Sequence, residues 1–539
     1  MRKILRITHL AQDGNWIFGP KGAYKSERQK IRSRQKSRKR ARKSCLEKRP
    51  GVGADILGTL MKQGNRNMQK TFKEKPMKSI LGGLLVTSLV AGCAGSNPSP
   101  DELIALPAPA VASFPAPAAQ VQAWADTRDT AKIRAHAWDV WASITTTLEG
   151  SSTPIWETWY SGYELFEMDP SEGRRLFPDF ENPSQFFHSG QAPIPTDGPE
   201  RVTAFNRYSP SLAEAIWTRG LNRSATLEVI NTTFDDLETP VIDRELITSQ
   251  ALVDASQIVL KPVFQIVDSS APVAIPYWDG FTSDATTNQK NPEPHTWKQC
   301  IAIDPSGTLT PGETIEMECN GVLSLLEVVP PESFYSIRLT KAQADDFSTF
   351  ALGSTDDIGV NNDTSTQALA EVVKEGNLAL LVAMHVTTKE IVNWTWQTFW
   401  WSPNPLDATH GADRPDWVEG PWRNYNMLTA YYMVEEFGNP DSAPLIAFNP
   451  YLETNLEGTF EPEDEAEVAW TGVTSNCMTC HRLAAWKKNE ARDPTCFSFE
   501  KNSCGPKYRD NGFIDPASEY IFGGYTKVDF LWSLQMRPE

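Results

Sequence analysis

Hydrophobic spacing in the first part of the chain predicts two helices. Apolar residues at intervals of three and four predict a helix over 121–149 that ends at Gly150. These residues are Ile133, Ala137, Trp141, Ile144 and Leu148. A shorter helix is predicted in "SPSLAEAIWTRG", with Ser209 or Ser211 as its N-cap.

Farther along, the pattern changes to that of strands. Runs rich in Val, Ile and aromatic residues, bounded by Gly, Pro, Asn and Asp, predict strands. They are 257–267, 271–279, 296–304, 333–340, 378–388 and 390–401. We therefore expect an α+β fold. It has a large, mainly antiparallel β-rich domain with helical insertions at 121–455, and a small, mostly α C-terminal segment at 456–539.

The segment that starts at Met77 has the form of a signal peptide. One Lys precedes a short apolar run, and small residues precede Cys93 in "LVAGC", an ending that resembles a bacterial lipobox. We expect a signal peptide at 77–92, lipidation of Cys93 and a Pro/Ala-rich tether at 93–120. The alternatives are a generic signal peptide and a short buried helix.

Charge divides the chain into two unlike parts. Residues 1–76 carry 22 Lys/Arg and 5 Asp/Glu, whereas residues 93–539 carry 28 Lys/Arg and 63 Asp/Glu. A signal peptide normally begins a protein, so we expect translation from Met77, with 1–76 untranslated or disordered. The acidic body repels anionic surfaces, which argues against nucleic acid and leaves a basic protein partner possible.

The cysteines of the exported part suggest three pairs beside Cys93. An oxidising compartment permits disulfides, although sequence alone does not establish connectivity. The simplest assignment makes one disulfide from Cys300 and Cys319 and another from Cys496 and Cys504. That assignment leaves Cys477 and Cys480, in the C-terminal segment 456–539, outside the disulfides.

The segment "CMTCH" at 477–481 carries the most specific chemistry. Two thiols at this spacing reach both vinyl groups of one haem, and the adjacent His481 reaches the iron. The alternatives are a zinc site made with Cys496 and Cys504, and a catalytic dithiol. Here the chain resembles the c-type cytochromes over about residues 470–539, which implies one covalent haem with His481 as an axial ligand.

A weaker resemblance covers the whole body of the chain. It is similar to bacterial lipoproteins of the cytochrome c family. In these, an "NPYLE" segment precedes the haem motif, and a strand like "MHVTTKEIVNWTWQTFWW" lies upstream. The resemblance implies an architecture and no particular reaction.

The sequence offers two candidates for the second axial ligand of the iron, His385 and Met536. Met536 follows the haem motif but has only three residues after it, and a flexible Met also serves as core filler. His385 opens a polar stretch that includes Lys389, set among very apolar strands, and such groups need partners. If the iron site is open, His385 and Lys389 are the candidate acid/base groups.

Two further segments admit a plain and a functional interpretation. The aromatic-rich stretch 394–432 suggests either a large core or a wall for a flat ligand. The acidic stretch 453–470 suggests a solvated loop or a docking patch for a basic redox partner.

These features predict an exported monohaem cytochrome that transfers electrons. We expect it to be lipid-anchored to the bacterial outer membrane, facing the periplasm or the cell surface. The alternatives are a redox enzyme with an open iron and a substrate pocket upstream, and a surface binding module with structural haem or zinc.

Overall fold

A computed structural model describes a large part of the second half of the protein and parts of the first. The described residues are 114–148, 150–166, 202–246, 254–278, 297, 299–344, 373–436, 439, 441–453, 475–488 and 512–536. The chain divides into two compact units, 1–94 and 95–539, and every described residue belongs to the second. Predictions that lie outside the described residues are those for 1–76, the signal peptide 77–92, Cys93, the tether up to 113, Cys496 and Cys504.

The fold is α+β, as the sequence predicts. The helices are α1 Ala118–Thr127, α2 Thr130–Thr145, α3 Gly162–Phe166, α4 Pro210–Arg219, α5 Ser224–Asp236, α6 Pro450–Glu453, α7 Cys477–Arg482, α8 Glu519–Phe522 and α9 Trp532–Met536. The strands are β1 Tyr160–Ser161, β2 Val202–Ala204, β3 Arg207–Tyr208, β4 Asp254–Val267, β5 Val273–Pro276, β6 Cys300–Ile303, β7 Thr314–Cys319, β8 Val322–Val329, β9 Ser336–Arg338, β10 Leu378–Lys389, β11 Thr395–Trp401, β12 Tyr425–Thr429, β13 Ala485–Trp486 and β14 Thr526–Lys527.

The predicted helix over 121–149 is wrong in its extent. The structure has two helices there, because Arg128 adopts a left-handed conformation (φ 54°) and Asp129 caps the start of α2 by accepting from the Lys132 N–H. The Arg128 guanidinium donates to the carbonyls of Ala125 and Val434, which holds the break in place. The second helix ends at Thr145, before the Gly150 turn.

One eight-stranded antiparallel sheet organises the molecule. Its main path is β1-β3-β4-β10-β11-β12, with β2 also paired to β4 and β9 to β10. Strand β10 is central because its run "LALLVAM" is apolar on both faces and is buried on both. A four-stranded sheet, β5-β6-β8-β7, lies beside it, and the Cys300–Cys319 disulfide joins β6 to the end of β7.

The main core packs α2 against one face of the large sheet. Trp141 stacks on Phe399 with ring centroids 4.1 Å apart and donates its indole N–H to the Trp422 carbonyl. Much of the aromatic stretch 394–432 is therefore core, as its plainer interpretation expects. None of the helices in the described ranges is both long enough and apolar enough to cross a membrane.

The C-terminal segment packs against the other face of the sheet. It consists of the short helices α7, α8 and α9 with a two-residue antiparallel pairing of β13 and β14. Some of its buried side chains, including Cys477 and Leu531, share one core with Tyr208, Trp394 and Trp396 of the large domain. The site lies where these two parts meet.

Candidate functional site

Helix α7 carries the two thiols and the imidazole of "CMTCH". Asn476 caps it: the side-chain carbonyl accepts from the Thr479 N–H, and the amide donates to the Leu445 carbonyl at 2.7 Å. Cys477 and Cys480 are one turn apart and therefore lie on one side of the helix. Both are free thiols, Cys477 buried and Cys480 half-buried.

The His481 ring is held from two sides. Its Nδ1 lies 2.8 Å from the carbonyl oxygen of Phe530, and its ring centroid lies 4.4 Å from that of Trp396. A carbonyl only accepts, so Nδ1 must carry the proton and Nε2 is left bare. A neutral imidazole with a bare Nε2 is a ready ligand for a metal.

His481 and Cys477 line a cavity on the face of the sheet opposite the main core. The floor consists of cross-strand neighbours from β4, β10 and β11, where His385 pairs with Lys261 and Thr387 pairs with Trp396. The space amounts to about 690 Å³, including its open mouth. Other lining residues are Asn206, Tyr208, Val259, Glu453, Leu531 and Trp532.

His385 lies in this cavity, as one of the sequence predictions requires. Its neighbour Met384 points into the main core, because successive side chains of a strand face opposite ways. His385 Nε2 lies 3.7 Å from Oε1 of Glu453. The ligand atoms of His385, Glu453 and Cys477 all lie within 4.8 Å of one another.

Burial keeps the thiols and imidazoles of the site uncharged. It raises the pKa of the Cys480 thiol to about 12 and that of Cys477 well above its usual value. It lowers the pKa of His481 to about 4, although the bond to Phe530 opposes this, and lowers that of His385 well below its usual value. At neutral pH the site offers neutral thiols and neutral imidazoles.

Two charged residues of the cavity were missed by sequence reasoning. The stretch from 453 onward was expected to be a solvated loop, yet Glu453 ends α6 and faces the cavity, where burial raises its pKa to about 7. Burial also lowers the pKa of Lys261 to about 8. The "NPYLE" segment, which ends in Glu453, is the one sequence signal that pointed here.

Lys389, the other candidate acid/base group, is not among the residues that line this cavity. Its ammonium is paired with the buried carboxylate of Asp529. Met536 is the last residue of α9, and its side chain lies outside what the structure describes. The structure therefore brings together Cys477, His481 and His385, with Cys480 one turn along α7.

The residues present fit a covalent haem. Two free thiols one turn apart and an adjacent imidazole with its Nδ1 already engaged match the groups that hold such a haem. A second imidazole, that of His385, and the Trp396 ring lie in the same cavity. The cluster of His385, Glu453 and Cys477 also offers three ligands to a bare metal ion.

Comparison with known proteins gives no match: no family model, no curated protein and no solved structure is similar to this chain.

Proposed function

We propose that the protein is a c-type cytochrome that transfers electrons. The observation that carries the proposal is the meeting of two imidazoles, His481 and His385, in one cavity with the Cys477 thiol at its edge. A haem bound here supplies a one-electron carrier at its iron. Cys477 and Cys480 would hold the group covalently, and His481 and His385 would supply imidazole nitrogens to its iron.

The surroundings of the site suit a carrier. The walls formed by Val259, Trp396 and Leu531 are apolar, and limited water access is one of the properties that tune a reduction potential. Lys261 supplies a cationic side chain at the floor, which favours carboxylate groups of a bound ligand. The Phe530 carbonyl fixes the tautomer of His481 and strengthens the imidazole as a donor.

The location and the partner belong to the same proposal. Lipidation of Cys93 after export would tether the protein to the outer membrane, facing the periplasm or the cell surface. A body with 63 acidic and 28 basic residues from 93 onward favours a basic redox partner and disfavours nucleic acid.

A second candidate is a redox enzyme that works on a small substrate. The observation in its favour is the carboxylate of Glu453, 3.7 Å from His385 Nε2 within the cavity. If the iron keeps one position open, this pair would stand beside bound substrate as a proton-transfer group. A carrier needs no such carboxylate.

Carbon monoxide distinguishes the two candidates. Residues 77–539 are expressed with the cytochrome c maturation machinery, and absorption spectra of the reduced protein are recorded with and without the gas. A carrier with both axial positions filled shows no prompt spectral change. Prompt binding would contradict the electron-carrier proposal and favour the enzyme.

A further inference from the structure

Lys389 and Asp529 form an ion pair that does not line the cavity. Nζ of Lys389 lies 2.6 Å from Oδ1 of Asp529, and their side chains are 1% and 6% exposed. Burial lowers the pKa of Lys389 and raises that of Asp529 to about 6, so the fold holds this pair at a cost. An ion pair retained at such a cost suggests a role in conformation.

Strained backbone surrounds this pair. Asp529 and Phe530 both have positive φ, 52° and 65°, and Trp394 has φ 61°. Residues other than glycine rarely adopt this conformation, and bulky ones such as Phe and Trp do so where their surroundings impose it. The Lys389 ammonium contacts the turn at Trp394 as well as Asp529. It donates to the Val392 carbonyl at 2.8 Å and lies 5.1 Å from the centroid of the Trp394 ring.

The strained conformation has a direct consequence for His481. Two successive left-handed residues turn the chain so that the Phe530 carbonyl lies 2.8 Å from Nδ1 of His481. Asp529, whose carboxylate Lys389 holds, directly precedes Phe530. A continuous chain of contacts thus runs from Lys389 through Asp529 and the Phe530 carbonyl to the imidazole.

We propose that Lys389 is a positioning residue for His481. By holding Asp529 it maintains the turn that presents the Phe530 carbonyl, and this carbonyl keeps the proton on Nδ1 and Nε2 free for a metal. The inference rests on the proposed function, because His481 needs a free Nε2 only if it binds a metal. The contacts themselves do not depend on a bound group, so they can be tested without one.

Lys527 offers a matched control within the same segment. It is also buried, and its ammonium donates to the carbonyls of Val241 and Pro516 and pairs with Glu245 at 3.2 Å. These contacts anchor the C-terminal segment without involving the carboxylate of Asp529. Replacement of Lys527 therefore measures the effect of loosening the C-terminal segment while the contact between Lys389 and Asp529 is left in place.

The tautomer of His481 is the decisive readout. Residues 93–539 are prepared free of haem with ¹⁵N-labelled histidine, and the His481 signals are assigned by comparison with His481→Gln. The wild-type protein is expected to show only the Nδ1–H form. Lys389→Met should lose this preference and show both tautomers in exchange, Lys389→Arg should restore it, and Lys527→Met should retain it.

If Lys389→Met does not fold, Asp529→Asn takes its place, because it removes the charge while preserving the size of the side chain. In haem-loaded protein, both variants should shift the reduction potential upward, since a less strongly hydrogen-bonded imidazole donates less charge to the iron. An unchanged Nδ1–H form in Lys389→Met or Asp529→Asn would overturn the inference. Failure of the wild type to bind haem would overturn the proposed function and leave the tautomer result standing.

Discussion

His385 of β10 and Cys477 of α7 face each other in one cavity, with an imidazole nitrogen of His385 within 4.8 Å of the Cys477 Sγ. The two residues come from segments that are far apart in the chain. The central strand of the large sheet supplies one, and the C-terminal segment supplies the other. The "CMTCH" segment therefore faces side chains of the large domain as well as groups of its own C-terminal segment.

Replacement of His385 by alanine tests the second axial ligand. In haem-loaded protein, His385→Ala should convert the oxidised spectrum from six-coordinate low-spin to largely high-spin, because the cavity then lacks the second imidazole. Reduced His385→Ala should also bind carbon monoxide promptly. The matched control is His410→Ala, because His410 contacts Asp407 and Trp400 away from the cavity lining. A spectrum of His385→Ala like that of the wild type would reject His385 as a ligand.

Asn476 is expected to be essential for the position of α7. Its side chain is fully buried, accepts from the Thr479 N–H and donates to the Leu445 carbonyl. Asn476→Ala loses the cap and leaves buried carbonyls without a donor, so the free energy of unfolding should fall by about 3 kcal/mol. Chemical denaturation measures this, together with the yield of attached haem.

The control for that variant is Ser518→Ala, which removes the side-chain cap of α8 and little else. Its cost should be about 1 kcal/mol, with haem yield unchanged. Equal losses in the two variants would mean that Asn476 acts as a helix cap alone.

Glu157 should make the protein less stable as the pH rises. Burial raises its pKa to about 7, despite a hydrogen bond from the Tyr335 hydroxyl and the nearby charge of Arg207. Between the unfolded value near 4.5 and 7, the folded state binds the extra proton, so the free energy of unfolding falls as pH increases through this window. The effect has an upper bound of about 3 kcal/mol, since one pKa unit is about 1.4 kcal/mol.

Glu157→Gln isolates this effect because its amide oxygen still accepts from Tyr335. Urea denaturation at pH 4.5 and pH 8 should show the variant gaining stability relative to wild type as the pH rises. A difference between the two proteins that is constant with pH would refute the assignment.

The disulfide between Cys300 and Cys319 should stabilise the four-stranded sheet. It closes a loop with a sequence separation of 19 residues. A loop of this length corresponds to about 3 kcal/mol in the chain-entropy model. Thermal unfolding of Cys300→Ser/Cys319→Ser should show this loss, with the haem spectrum unchanged. A melting temperature equal to that of the wild type would mean that the bond contributes nothing to stability.

The sequence predicted the strands that build the cavity floor because their patterns are local. The apolar run of β10 and the alternation in β11 predict two adjacent buried strands, and the alternation places His385 opposite to Met384. The hairpin of β7 and β8 was missed. Its outer face carries the exposed leucines Leu323 and Leu325, which obscures the alternation of polar and apolar residues that marks a strand.

Local sequence patterns do not predict two parts of the site. Glu453 belongs to an acidic stretch whose composition suggests solvent, and only the docking of α6 turns it toward His385. The Phe530 carbonyl is a backbone group, so the residue type at this position does not indicate its contact with His481. Its place follows from the left-handed turn at Asp529 and Phe530, which depends on tertiary contacts.

Covalent attachment of haem at Cys477 and Cys480 is tested most directly by mass. Residues 77–539, expressed with the cytochrome c maturation machinery, are denatured and digested, and the peptide that contains 477–481 is weighed. We expect an increase equal to one haem, retained in Cys300→Ser/Cys319→Ser and lost in Cys477→Ser/Cys480→Ser. A wild-type peptide with two unmodified thiols, from a strain that loads a reference c-type cytochrome, would contradict it.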